Sequence, residues 1–167
     1  MFFEEAVKEL EAIVSVLGPK KVKMAGSTKN QKCETTTQHM QMLQCLKPLL
    51  LCLEYTLKAD AHNGGQWIGA DESSCYHFLL NPLIKLLQIN ASSNFLPPAS
   101  KMSPYQQVVM TSESGNVISC ITALACAAGN EQLWKPLNHG VLEACSNQDQ
   151  SDVQKAGVTC LLLLIKA

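Results

Sequence analysis

The sequence predicts an all-α fold built of antiparallel helical hairpins, and three observations carry that expectation. Apolar residues recur at three- and four-residue spacing over most of the chain, the period of one helix face. Hydrophobic residues make up 47% of the 167 residues but aromatics only 5%, so Leu, Ala, Ile, Val and Cys must fill the interior. That mix suits helices better than a sheet, which draws on aromatic and β-branched residues. Prolines also return at a similar place inside oily helical stretches, at Pro48, Pro82 and Pro136.

Taken in order, Phe2 to Leu17 reads as a first helix. Phe3, Val7, Leu10, Val14 and Leu17 form its stripe, and Glu4 and Glu5 sit where the helix dipole favours them. Gly18–Pro19 ends it. Residues 18–35 carry Lys20, Lys21, Lys23, Lys29 and Lys32 without periodicity and are expected to form a flexible linker. A long helix is expected from Thr36 to Ala59, with Met40, Leu43, Leu46, Leu50, Leu53 and Leu57 on one stripe and a kink or break at Pro48. Asn63–Gly64–Gly65 marks a loop over Asp60–Asp71, with the pair Trp67–Ile68 expected to tuck back onto the helices.

The next helix spans Glu72 to Ile89, with Cys75, Leu79, Leu83 and Leu86 inward. A linker rich in Ala, Ser and Pro follows over Asn90–Lys101. Ser103–Pro104 offers an N-cap and first-turn pair for helical signal that runs to Ala128, interrupted around Thr111–Gly115. Val117, Ile121, Leu124 and Ala128 should face inward. Glu131 to Cys145 has Leu133, Leu137, Val141 and Cys145 four residues apart, with Pro136 placed early, where a missing N–H costs least. After the polar break Ser146–Gln150, a last helix starts at Ser151 or Asp152 with Val153, Ala156, Cys160 and Leu164 on one stripe. These final two helices form an αα-hairpin that cannot bury its apolar face alone.

The prolines mark a weak internal repeat. Leu46–Lys47–Pro48–Leu49, Leu80–Asn81–Pro82–Leu83 and Trp134–Lys135–Pro136–Leu137 share the form apolar–polar–Pro–Leu. The intervals are 34 residues (48 to 82) and 54 residues (82 to 136), the longer one containing the Ala/Ser/Pro linker. A proline in the first helix of each pair, at a period near 40, is the pattern of a HEAT-like α-solenoid. The chain is therefore divided into an N-terminal helix (1–17), a lysine-containing linker (18–35) and HEAT-like helical repeats (36–167) with loop insertions at 60–71 and 90–103.

Charge and cysteines narrow the function classes. Net charge is −1, so no global field draws in nucleic acid or an anionic membrane. All 13 basic residues are lysine. Arginine is the usual fork for phosphate and for guanine edges, so its absence argues against a sequence-reading nucleic-acid domain, while sequence-independent phosphate contact by lysine stays open. Of the eight cysteines, Cys45, Cys52, Cys120, Cys126 and Cys160 fall inside apolar helical runs, where a thiol is expected to act as a small hydrophobe. The N-terminus Met1–Phe2–Phe3–Glu4–Glu5 has no signal-peptide pattern, so a reducing compartment is expected.

Leu133 to Asn138, LWKPLN, followed by a hairpin and SDVQKAGVTCLLLL (Ser151–Leu164), resembles the C-terminal region of the large HEAT-repeat U3 small-nucleolar-RNA-associated proteins, scaffold subunits of the small-subunit processome. CLEYTLKAD (Cys52–Asp60), Trp67–Ile68, NPLIKLLQ (Asn81–Gln88) and SCITALACAAGNEQ (Ser119–Gln132) fall in the same order as in that family. The similarity covers about Gln38 to Ala167. The resemblance implies a non-catalytic scaffold in nucleolar ribosome biogenesis: the U3 ribonucleoprotein, processing of pre-18S ribosomal RNA, and linked ribosomal-DNA transcription. Its implied partners are other processome proteins and U3 RNA or pre-ribosomal RNA, with no small-molecule substrate, membrane or cofactor. The alternative is a HEAT-repeat adaptor of the transport-receptor or phosphatase-scaffold kind, cytoplasmic and without an RNA role.

No constellation for catalysis or metal binding is expected. There is no Gly-rich phosphate loop, Gly-x-Ser-x-Gly or His-Glu-x-x-His. Cys75–Tyr76–His77 lacks a Cys-x-x-Cys partner, and adjacent residues on a helix point different ways. His139 reads as a surface or packing residue. Trp134 either packs against the preceding repeat or joins Lys135, Asn138 and His139 in an exposed partner-binding ridge. Lys20, Lys21 and Lys23 form either a solvated tether or a phosphate-contacting segment or nuclear address.

Overall fold

The computed structural model describes residues 2–17, 29–68, 75–88, 116–128, 131–147 and 151–166, with the side chains of the long second helix described from residue 44. Among these residues every regular element is a helix, so the fold is all-α. The helices are α1 (Phe2–Leu17), α2 (Lys29–His62), α3 (Cys75–Gln88), α4 (Val117–Ala127), α5 (Glu131–Cys145) and α6 (Ser151–Lys166).

They pack as three successive pairs. α1 lies against α2, α3 against α4, and α5 against α6. Along one side α1 packs on α3 and α3 on α5; along the other α2 packs on α4 and α4 on α6. A diagonal contact joins α3 to α6. Among the described residues the first pair has no substantial contact with the third. The middle pair is therefore the most enclosed. α3 buries Tyr76, Leu79, Leu80, Leu83, Leu86 and Leu87, and α4 buries all but Ser119, Thr122 and Cys126. A helix apolar around most of its circumference is one with neighbours on several sides.

α1 matches its expected bounds, but its stripe is centred differently. Ala6, Leu10 and Ile13 are fully buried, while Phe3, Val7 and Val14 pack partly buried beside them. Both sets lie on one broad face. α2 begins at Lys29, seven residues before the expected start at Thr36, so the lysine-containing segment 18–35 is helical in its last part. Residues 18–28, with Lys20, Lys21 and Lys23, lie outside the described residues, as do the linker 90–103, Ser103–Pro104 and Thr111–Gly115.

Pro48 does not break α2. Proline removes the ladder bond to the carbonyl four residues back, here Gln44; both Pro48 and Gln44 are exposed, so water can take the orphaned carbonyl. Leu46, Leu50, Leu53 and Leu57 on the opposite face are buried. The helix also outlasts its expected end, running to His62.

Asp60 is why the chain turns where it does. Its carboxylate is fully buried and accepts from the backbone N–H of Trp67 (3.0 Å, Oδ1) and of Ile68 (3.0 Å, Oδ2). Its backbone carbonyl accepts from Gly65 N–H at 2.8 Å. Gly64 and Gly65 take φ of 83° and 68°, the left-handed region where a side chain is strained. Only half of the expected apolar pair tucks in: Ile68 is buried, and Trp67 is 61% exposed. The Asp60 carboxylate fixes the backbone of both residues, and only the Ile68 side chain reaches the core.

α4 opens with a capping box. The Asn116 side chain accepts from Ser119 N–H at 2.8 Å, and the Ser119 hydroxyl accepts from Asn116 N–H at 3.1 Å. The expected inner face, Val117, Ile121, Leu124 and Ala128, is buried. α5 runs over the expected Glu131–Cys145, and α6 buries the expected Val153, Ala156, Cys160 and Leu164. The cysteines divide: Cys120 and Cys160 are buried, whereas Cys45, Cys52 and Cys126 are exposed. Helical apolar runs leave a solvent side, and a thiol is small enough to occupy it at little cost.

Candidate partner-binding surface

The stretch Leu133–Asn138 opens α5 and is seated by the residues before it. Leu133 and Leu137 are buried in line with Val141 and Ala144, which fixes the helix on α3 and α6. The buried Tyr76 hydroxyl on α3 donates to the Leu133 carbonyl at 2.7 Å. Burial pushes this phenol above its ordinary value, so it stays a donor. Gly140 is buried, and a Cβ there would come within 2.9 Å of the Ile84 side chain on α3. Gly157 on α6 sits still closer to α5: a Cβ would lie 2.7 Å from the Cys145 backbone nitrogen and 2.9 Å from the Ala144 carbonyl carbon.

Trp134 turns inward. Its indole is half-buried against the core, and Nε1–H donates to the Ala128 carbonyl at 3.2 Å, joining the end of α4 to the start of α5. Of the four residues expected to form a ridge, Lys135 and His139 are exposed and Asn138 is half-buried. Residues 135, 139 and 142 follow one another at helical spacing, and Leu142 is also exposed. Pro136 is the sixth residue of α5, not in its first turn, so it does remove a ladder bond, the one to the Gln132 carbonyl. Further along the α5 surface, Gln88 at the end of α3 donates to the Glu143 carboxylate at 2.9 Å.

α6 carries a second apolar stripe besides its buried one. Val158, Leu162 and Ile165 are exposed, at the four- and three-residue spacing of one face, and Leu161 beside them is half-buried. Other large exposed side chains, Tyr55 on α2, Trp67 and Phe78 on α3, are dispersed along the chain.

One cluster escaped sequence reading altogether. Glu54 on α2 is only 2% exposed; one carboxylate oxygen accepts from Lys58 (2.6 Å) and the other from the Ser119 hydroxyl (2.7 Å) at the head of α4. Next to it the Cys120 thiol donates to the Leu50 carbonyl at 3.0 Å. Desolvation, followed by the nearby Glu54 charge, pushes the Cys120 thiol up, and desolvation pushes Cys160 up to about 12. Both stay protonated at neutral pH, which is the opposite of an activated nucleophile. The only advance signal for this cluster was Glu54 sitting near the Leu46–Leu57 stripe.

Among the described residues no group of three His, Cys, Asp or Glu is placed to hold a metal ion, and no helix is long and apolar enough to cross a membrane. No protein-family model matches the chain, and no solved structure matches it. It is similar to a protein of Arabidopsis thaliana described only as uncharacterized, with 29% identity over 133 residues. That match covers 79% of this chain but only 5% of the plant protein's length.

Proposed function

We propose that this chain is a segment of a HEAT-like α-solenoid and acts as a non-catalytic scaffold in nucleolar ribosome biogenesis, within the U3 ribonucleoprotein and small-subunit processome. The observation that carries the solenoid reading is the order of packing. Each helical pair meets the next, odd helices stack on odd and even on even, and the first and third pairs make no substantial contact among the described residues. Repeat stacks have that nearest-neighbour character. The ribosome-biogenesis role rests on the resemblance of Leu133–Asn138 and its flanking segments to the U3-associated scaffold family.

In this reading the helical pairs hold protein partners and RNA in register, and the exposed edge of α5, Lys135 and His139 with half-buried Asn138, belongs to the partner-facing surface. Trp134 sets that edge by fastening α5 to α4 and does not itself reach the partner. Lys20, Lys21 and Lys23 supply phosphate contact or a nuclear address.

Affinity purification of the tagged chain from cells tests this. The expected result is enrichment of U3 RNA together with processome proteins, reduced when Lys135 and His139 are both changed to Glu. Recovery of transport cargo or phosphatase subunits without U3 RNA would overturn the nucleolar reading in favour of a general adaptor. Unchanged recovery with the double variant would remove the α5 edge from the interface.

A further inference from the structure

We draw no further inference here: the strongest candidate, the exposed apolar stripe of Val158, Leu162 and Ile165 on α6, has nothing in the structure to show what covers it.

Discussion

The junction of α2 with α4 and the junction of α5 with α6 solve one problem by different chemistry. Both join an outer helix to a neighbour across an apolar seam. At α2–α4 the seam is spanned by side-chain polar groups: Glu54 accepts from Ser119, Ser119 caps α4 with Asn116, and Cys120 donates to Leu50. At α5–α6 the close fit is steric: Gly157 lets the backbones nearly touch. A polar bridge sets register by direction and distance, and fails when one partner is lost. A glycine contact sets it by excluded volume, and fails when anything is added.

Adding atoms at α5–α6 should therefore give the largest effect. Gly157→Leu is expected to cost about 3 kcal/mol in urea unfolding, because the clash is with backbone that cannot rotate away. Gly157→Ala should still destabilise, and Gly140→Ala should destabilise less. There the obstacle is the Ile84 side chain, β-branched and stiff at χ1, and the roughly 1 kcal/mol helix-propensity gain offsets only part of its repacking. Equal losses at the two glycines would remove the distinction between backbone and side-chain obstruction.

At α2–α4, removal should matter more than addition. Glu54→Ala is expected to cost about 1 kcal/mol, since the buried carboxylate's bond to Ser119 across the seam is lost while the half-buried Ser119 hydroxyl keeps the Asn116 carbonyl as an acceptor at 2.9 Å. Glu54→Gln keeps an acceptor and loses the attraction to Lys58, whose side chain is largely in water, so it should cost under about 1 kcal/mol. A double-mutant cycle of Glu54→Ala with Ser119→Ala should return a non-zero coupling; additive losses would mean the two residues act separately.

Alkaline pH offers a smaller and more graded probe. The folded protein keeps the Cys160 proton to about pH 12, while the unfolded thiol releases it near its ordinary value of 9.0. Between those values the unfolded state binds fewer protons, so stability is intact below about pH 9 and falls as pH rises through the window, by at most about 1.4 kcal/mol per pH unit for each such thiol. Urea unfolding at pH 8 and pH 10 should show the drop, and Cys160→Ala should make it shallower. Cys120 shifts in the same direction, so both junctions contribute. Tyr76→Phe should cost about 1 kcal/mol, the net worth of the hydroxyl's bond to the Leu133 carbonyl.

How much of this could be read in advance follows from the range of the forces. The bounds of α1 and α5 and the buried stripe of α6 are local, written in three- and four-residue spacing, and they emerge as expected. The early start of α2 was hidden because Lys29 to Thr35 is polar and lacks a stripe. The continuity of α2 through Pro48 depended on which way the proline faces, a tertiary fact. Trp134 shows the same limit: its spacing suits both a core anchor and an exposed ridge, and the acceptor that turns it inward, the Ala128 carbonyl, belongs to the preceding helix. For the α5 edge, sequence proposed Lys135, Asn138 and His139 as neighbours, because helix geometry alone places them so.

By itself the sequence determined that this chain is helical, where most helices lie and which stripe of each is oily, since those follow from backbone periodicity and transfer free energy. Only the tertiary structure decided that Asp60 and Glu54 are buried, that Gly157 marks a near-contact, and that Trp67 stands mostly in water while Trp134 packs half-buried against the core. Those outcomes depend on atoms brought together from distant parts of the chain, and no local pattern records where a neighbouring helix will lie.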